Sequence, residues 1–313
     1  MRKYRFLAFL LCLITLLCVC SCEKPKNNDR GLSVVATVFP AYDFAKAVVK
    51  DKGNVDMLLP PGSESHSYEP SPQDIIKIQQ CDLFIYIGGE SEEWVEEILN
   101  SLDTFNIKVL KLFDYVTPLK EVVSEGMQKD KSEASDEVEY DEHIWTSPAN
   151  AILMIKAINK AVCGIDKNNS DTYNANAEYY LNEIESLDSE FSETVSKAKR
   201  KTIVFADRFP FAYFANRYNL NYWAAFPGCS QETEPSASTV AFLIDKVKSE
   251  NIPTVFYIEF SNERMADAVC EETGAEKRLF HSCHNVTKED FESGITYADI
   301  MKSNLTVLKE ALN

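Results

Sequence analysis

The chain of 313 residues contains four histidines, and all four lie where an α/β protein keeps its binding sites. His66, His143, His281 and His284 occur in loop-like stretches or at the end of an apolar run. The carboxyl ends of parallel strands open into the crevice that binds ligands. Neutral imidazole is a common ligand of zinc, so three or four of these residues could form a metal site if folding brings them together, although the spacing alone is a weak signal. The spacing alone leaves open that individual histidines are hydrogen-bonded core residues.

The elements that would position these histidines are short strands and helices in alternation. Apolar runs such as LSVVATVF and DLFIYIG alternate with helical stretches, and the same order returns later around KTIVFAD and TVFYIEF. This alternation predicts parallel sheets in two Rossmann-like α/β lobes, 32–166 and 201–313. From Tyr173 to Val195 apolar residues recur every three or four positions. They predict one long rigid helix, 167–200, which joins the lobes and should restrict hinge motion.

The N-terminus has the layout of a bacterial export signal. MRKYRFLAFLLCLITLLCVCSCEK places positive charges before an apolar core and small residues around cysteine, which predicts a signal peptide over 1–22. The stretch VCSC resembles a lipobox, so Cys22 is the expected site of acylation, with an uncleaved membrane anchor as the alternative. Polar residues 23–31 are predicted to form a tether. The rest of the chain is therefore expected outside the cytoplasm, held to the cell membrane by lipid.

The charge of the chain is strongly acidic. A formal net charge of -17 argues against nucleic acid as a partner and is compatible with attraction of cations. The segment 121–142 carries nine acidic residues and two lysines. We expect a mobile acidic loop there, which is either a solvated linker or an arm that collects cations beside a metal site.

Five cysteines remain after the signal, and no CxxC pair occurs among them, which argues against a structural zinc knuckle. Cys229 and Cys283 lie in polar, loop-like segments, where a disulfide is plausible in an oxidising compartment. The sequence leaves that connectivity open. Cys81, Cys163 and Cys270 lie beside apolar helical patterns and are expected to be buried thiols.

Several stretches together resemble the solute-binding lipoproteins that deliver zinc or manganese to ABC importers. The most specific are PGSESHSYEPSPQDI and HIWTSPANA, and the resemblance covers essentially the whole chain after the signal. It implies that His66 and His143 are the first two metal ligands, that a membrane permease is the partner, and that the protein acts as a monomer. Tyr68 and Trp145 lie near the expected crevice and could cover the site from water, although aromatic residues at such places are more often part of the core.

The other two ligand positions of the family depart from its pattern. The third position falls on Arg208, which cannot bind a metal because it stays protonated. The resemblance implies that His281 replaces the acidic fourth ligand, with His284, Asp207 or water as possible completions. Arg208 is expected to pair with Glu232 or Glu234. Three imidazoles favour zinc, because harder cations such as manganese prefer carboxylate oxygen.

Two other classes of function remain open. Three histidines and an open position also describe hydrolytic zinc enzymes, which need a general base, and Glu64, Asp207 or Glu259 could be invoked. The chain contains neither an HExxH nor a GxSxG motif, so we expect no enzyme. A manganese or iron homologue, or a binding protein for a larger metal chelate, is the other alternative. The sequence has no repeat or low-complexity stalk that would support a role as an adhesin.

Overall fold

The computed structural model describes residues 31–102, 104–128, 139–230 and 234–313. Leu32–Asn313 form one compact unit. The predicted signal peptide with Cys22 lies outside the described residues, as do all but the last residue of the predicted tether and positions 129–138 of the acidic segment. Within the described ranges, no helix combines the length and apolar character that a membrane span requires.

The first lobe is built on a parallel sheet with the strand order β2-β1-β3-β4. Its strands are β1 (Leu32–Ala36), β2 (Gly53–Met57), β3 (Leu83–Tyr86) and β4 (Lys108–Lys111). Its helices are α1 (Phe39–Val49), α2 (Pro72–Gln80), α3 (Glu93–Ser101) and α4 (Pro148–Ile165). Strand β3 is buried along its whole length, as expected for a parallel sheet covered on both faces. Helix α2 begins in a capping box, in which Ser71 and Asp74 exchange hydrogen bonds.

The predicted long helix is confirmed as α5 (Ser170–Lys197), with 28 residues. At about 1.5 Å per residue it is about 42 Å long, enough to lie along both lobes. Its buried stripe comprises Tyr173, Ala177, Tyr180, Ile184, Leu187, Phe191, Thr194 and Val195. One hydrophobic core contains this stripe together with residues of both sheets, such as Leu83 and Phe256. The lobes are therefore packed on a shared helix, which opposes large hinge motion.

The second lobe repeats the architecture with the strand order β6-β5-β7-β8, again parallel. Its strands are β5 (Thr202–Phe209), β6 (Asn221–Pro227), β7 (Thr254–Tyr257) and β8 (Glu276–Leu279). Its helices are α6 (Ala212–Tyr218), α7 (Ala237–Ser249), α8 (Arg264–Thr273), α9 (Lys288–Ser293) and α10 (Tyr297–Leu312). The prediction of two parallel α/β lobes is confirmed.

A buried carboxyl group joins three helices at the contact between the lobes. Asp43 of α1 accepts hydrogen bonds from the Tyr180 hydroxyl of α5, at 2.5 Å, and from the Tyr297 backbone N–H of α10, at 3.2 Å. Burial raises the pKa of Asp43 to about 7, although both hydrogen bonds act to lower it. Above that pH the folded protein must hold a charge in its interior.

This carboxyl should make folding stability depend on pH. Its pKa is higher in the folded chain than in the unfolded chain, so the folded state binds more protons between about pH 4 and about pH 7. The free energy of unfolding should therefore fall as pH rises through that window, and Asp43→Asn should remove this part of the fall while it keeps an oxygen acceptor. Urea unfolding curves at about pH 5 and about pH 8 test this. An unchanged pH dependence in Asp43→Asn would show that the carboxyl is already ionised at the lower pH.

Candidate metal centre

Three buried or nearly buried imidazoles meet between the lobes. His66 follows β2, His143 precedes α4, and His284 follows β8. One ring nitrogen from each lies within 4.8 Å of the other two. The ring centroids are 5.4 to 5.9 Å apart. In a tetrahedral zinc site with Zn–N distances of about 2.0–2.1 Å, the ligand nitrogens lie about 3.3–3.4 Å apart. Side-chain shifts of under about an ångström would therefore let one zinc ion contact all three rings.

The loops that carry His66 and His284 are fastened to each other. The Gly62 N–H donates to the Val286 carbonyl at 2.8 Å. The Asn285 side-chain amide donates to the Pro60 and Ser63 carbonyls at 2.8 and 2.9 Å. Gly62 has a φ of 83°, a left-handed conformation that glycine adopts without steric cost. The proline- and glycine-shaped turn thus holds the first histidine against the loop of the other lobe.

Hydrogen bonds orient the histidine rings. The carboxylate of Asp141 can only accept, so it accepts from the His143 Nδ1–H at 2.9 Å, and it also accepts the His143 backbone N–H at 2.7 Å. This bond leaves Nε2 of His143 free to bind a metal. Ser65 Oγ lies 3.1 Å from Nδ1 of His284, and when Nδ1–H donates to it Nε2 is again the free nitrogen. Zinc-binding histidines in proteins are commonly held in this way.

A second carboxylate lies beside His66. Glu142 Oε1 is 3.9 Å from His66 Nδ1, and the Glu142 carboxylate accepts from the Ser91 backbone N–H at 3.0 Å and from its hydroxyl at 2.6 Å. Asp141 and Glu142 are both buried. The sequence reasoning missed them as individual groups, because it treated 121–142 as one solvated segment. The tripeptide DEH, with two carboxylates next to a predicted ligand, is the signal that could have identified them.

The surrounding groups shift the pKa values of the three imidazoles in different directions. Burial acts to lower the pKa of His143, but the charge and hydrogen bond of Asp141 outweigh it and raise this pKa above its ordinary value. Burial lowers the pKa of His66, helped by the charges of His143 and Arg208. Burial and the same cationic neighbours hold the pKa of His284 well below its ordinary value. His66 and His284 are therefore neutral near pH 7, the state that binds a metal.

The structure brings His284, and not the predicted His281, to this cluster. The chain turns at Cys283, whose φ is 63°, in the loop that follows β8 and directly before His284. Nδ1 of His281 instead accepts the Cys283 backbone N–H at 2.9 Å and lies 3.4 Å from Glu259. Asp207 is also outside the cluster, since its carboxylate accepts from the backbone N–H groups of Arg208 and Ile258.

Arg208 does not pair as expected. Its guanidinium contacts both carboxylate oxygens of Glu64, at 3.1 and 3.4 Å, and so crosses to the first lobe. The prediction of a pair with Glu234 is wrong, and Glu232 lies outside the described residues. The reason is spatial: the His66 loop brings Glu64 to the end of β5, where Arg208 lies.

The predicted disulfide is absent, because Cys229 and Cys283 are both free thiols. Cys283 is fully buried in the large hydrophobic core. The Cys229 backbone N–H donates to Glu121 at 3.0 Å, beside the acidic segment. Among the described residues, Cys81, Cys163 and Cys270 form no disulfide either. Cys81 is buried as expected, whereas Cys163 and Cys270 are partly exposed.

The space between the rings is small. The cavity lined by the three histidines measures about 20 Å³, and Glu64, Arg208 and Glu259 also line it. That volume holds about one water molecule, or an ion. Trp145 closes one side, with its ring 4.8 Å from His284 and 5.4 Å from His143. Tyr68, the other aromatic residue considered from the sequence, packs on Trp94 and donates to Asp74.

Comparison with known proteins agrees with this architecture. The family model named ZnuA, zinc-uptake complex component A, periplasmic, matches residues 34–311. Zinc-binding lipoprotein AdcA of Streptococcus pneumoniae R6 is 32% identical over 310 residues, which cover 99% of this chain and 61% of that protein. The high-affinity zinc uptake system protein ZnuA of Bacillus subtilis 168 is 32% identical over 302 residues, which cover 96% of this chain and 94% of that protein.

Two solved structures share the fold. The Zn(II)-bound ZnuA-like domain of Streptococcus pneumoniae AdcA has a TM-score of 0.75 and 31% identity, covering 90% of this chain and 99% of that one. The metal-dependent lipoprotein YcdH from Bacillus subtilis has a TM-score of 0.75 and 32% identity, covering 90% and 100%. This chain thus spans about three fifths of the pneumococcal lipoprotein and nearly all of the Bacillus protein. The chain belongs to the ZnuA family.

Proposed function

We propose that this protein captures zinc between its lobes, on His66, His143 and His284, and delivers it to an ABC-type importer. The observation that carries the proposal is the cluster of three imidazole nitrogens within 4.8 Å, contributed by loops of both lobes. Imidazole nitrogen suits zinc, whereas manganese prefers sites richer in carboxylate oxygen. The zinc-uptake family and the names of its relatives support the same cargo.

The geometry is suited to capture and release. The first lobe supplies His66 and His143, and the second supplies His284, so a small relative shift of the loops would break the ligand set. The hydrogen bonds from Gly62 and Asn285 hold the loops together. Release into the permease therefore requires that these few bonds open, while helix α5 keeps the lobes otherwise fixed.

A binding role is favoured over catalysis by the state of the candidate bases. Glu64 is paired with Arg208, and Asp207 accepts two backbone N–H groups. Glu259 accepts the backbone N–H groups of Ser282 and His284 at 2.7 and 3.3 Å. Each of these carboxylates is thus already engaged as a hydrogen-bond acceptor or in an ion pair, which favours a structural role for it. A large preformed chelate would not fit the cavity that the imidazoles line.

We further propose that the protein acts outside the cytoplasm, attached to the cell membrane through acylated Cys22, as a monomeric partner of its permease. The export signal and its lipobox-like end support this location. Relatives that are named lipoproteins support it too.

The direct test of the proposed function is metal titration. Metal-free protein should bind one zinc ion per chain, and manganese in large excess should fail to displace it. Elemental analysis after gel filtration gives the stoichiometry. Preference for manganese, or the absence of a stoichiometric metal, would contradict the proposal.

The acidic segment should affect the rate of capture more than its equilibrium. Its last two residues, Asp141 and Glu142, lie next to His143 and His66, whereas positions 129–138 carry further carboxylates that attract cations at a distance. Deletion of 129–138 should leave zinc affinity within about tenfold, or about 1.4 kcal/mol. Stopped-flow binding at low salt should become slower, and the difference should shrink at high salt. Loss of binding would show that the deleted stretch supplies a ligand.

A further inference from the structure

A second, larger cavity adjoins the histidine cavity. It measures about 460 Å³, which is within the range of small-molecule sites, and lies against the second lobe. Glu64, Arg208 and Phe260 line both cavities and so form the wall between them. Phe260 has a φ of 59°, an uncommon conformation for a bulky residue. The ion pair of Glu64 with Arg208 and the ring of Phe260 thus separate the histidine cavity from the larger cavity.

Three imidazoles leave one position of a tetrahedral zinc ion unfilled. On the wall of that cavity stands Arg208, whose side chain is only 13% exposed. A guanidinium cannot coordinate a metal, and its positive charge repels one. A ligand that satisfies both the zinc ion and the guanidinium must be an anion that accepts hydrogen bonds, such as a carboxylate.

Glu64 already shows how a carboxylate fits this guanidinium. Its two oxygens lie on the two terminal nitrogens of Arg208, the paired geometry typical of arginine and carboxylate. The Glu64 side chain is 41% exposed, so the pair is open to solvent on that side. A second carboxylate could take the same two-point position on Arg208, so exchange of Glu64 for it would keep the guanidinium paired.

The larger cavity has room and polar lining residues for the remaining groups of such a ligand. Arg264, at the first turn of α8, is exposed and lines it, as do Ser261 and Asn262. Two acidic residues line it too. Asp207 is committed to backbone N–H groups, whereas Glu234 would favour a ligand that also carries an amino or hydroxyl group. The lining therefore matches a small polar acid better than an apolar molecule.

We infer that the metal is bound as a ternary complex with a small carboxylate of the amino- or hydroxy-acid class. Its carboxylate fills the fourth position of the zinc ion and takes the place of Glu64 on Arg208. Its remaining polar groups lie in the larger cavity near Arg264. This inference rests on the proposed function, since it requires a metal on the three histidines.

Malate is a suitable probe, with its uncharged diamide as the matched control. The protein is loaded with Co²⁺, whose visible absorption reports its coordination, and metal retention is measured after desalting. Malate should change the spectrum saturably while the metal stays bound, and the diamide should not. Arg264→Gln should weaken the apparent malate affinity at least about fivefold, whereas Glu64→Gln, which removes the competing carboxylate, should strengthen it. Arg278→Gln removes a surface arginine paired with Glu276 and should change nothing.

The outcomes separate the two proposals. A protein that binds no metal without malate overturns both the proposed function and this inference. A protein that binds one metal but gives no saturable change with malate overturns the inference alone. So does loss of the metal to malate, or an equal malate response in the parent, Arg264→Gln and Glu64→Gln.

Discussion

His143→Ala should weaken zinc binding by more than about a hundredfold, the largest loss among single changes in the centre. Removal of the imidazole takes away a proposed ligand and also leaves the buried Asp141 carboxylate with the backbone N–H of residue 143 but without the ring N–H. Asp141→Ala, which keeps the ligand and removes the group that orients it, should cost about 10- to 100-fold. Competitive zinc titrations measure both losses.

The informative result is which of the two variants, His143→Ala or Asp141→Ala, loses more zinc affinity. Unfolding curves recorded alongside separate lost ligation from lost fold, because Asp141 and His143 are both buried. An Asp141→Ala variant that binds zinc like the parent would show that the carboxylate does not orient the ring.

Arg208→His should tighten zinc binding by about tenfold or more, measured without any added carboxylate. The change removes a positive charge from the wall of the metal cavity and offers a fourth imidazole to a tetrahedral zinc ion. Arg208→Gln is the matched control, because it removes the charge without supplying a ligand. We expect its affinity to lie between those of the parent and Arg208→His.

The opposing effect in Arg208→His is the release of Glu64 from its ion pair. Glu64 is partly exposed, so water can solvate its carboxylate at little cost. If Arg208→His binds zinc more weakly than the parent, the arginine is needed to hold the His66 loop, and the account of the fourth position is wrong.

The sequence predicted the fold more completely than it predicted the residues of the metal site. Alternating apolar runs and the stripe from Tyr173 to Val195 predicted both parallel sheets and helix α5, because strand and helix periods are local properties. Sequence motifs pointed to His66 and His143, and both residues lie in the histidine cluster of the folded chain. Local pattern could not decide between His281 and His284, because the two lie three residues apart and the left-handed turn at Cys283 determines which one faces the other lobe.

Ion pairs between the lobes could not be predicted from the sequence either, because local patterns do not determine contacts between distant segments. Arg208 and Glu64 are 144 positions apart, and the loop after β2 brings them together only in the folded protein. The expected disulfide failed because Cys283 lies in the core, which its polar flanking residues did not indicate. Asp141 and Glu142 were hidden within a segment whose composition is that of a solvated loop.

A competitive zinc titration of His284→Ala beside His281→Ala, with unfolding curves for both, decides which histidine of this loop binds zinc. The two variants are closely matched, since each removes one imidazole from the same loop. We expect His284→Ala to weaken zinc binding by more than about a hundredfold, and His281→Ala to stay within about tenfold of the parent. Strong loss in His281→Ala with parent-like binding in His284→Ala would contradict the three-histidine centre.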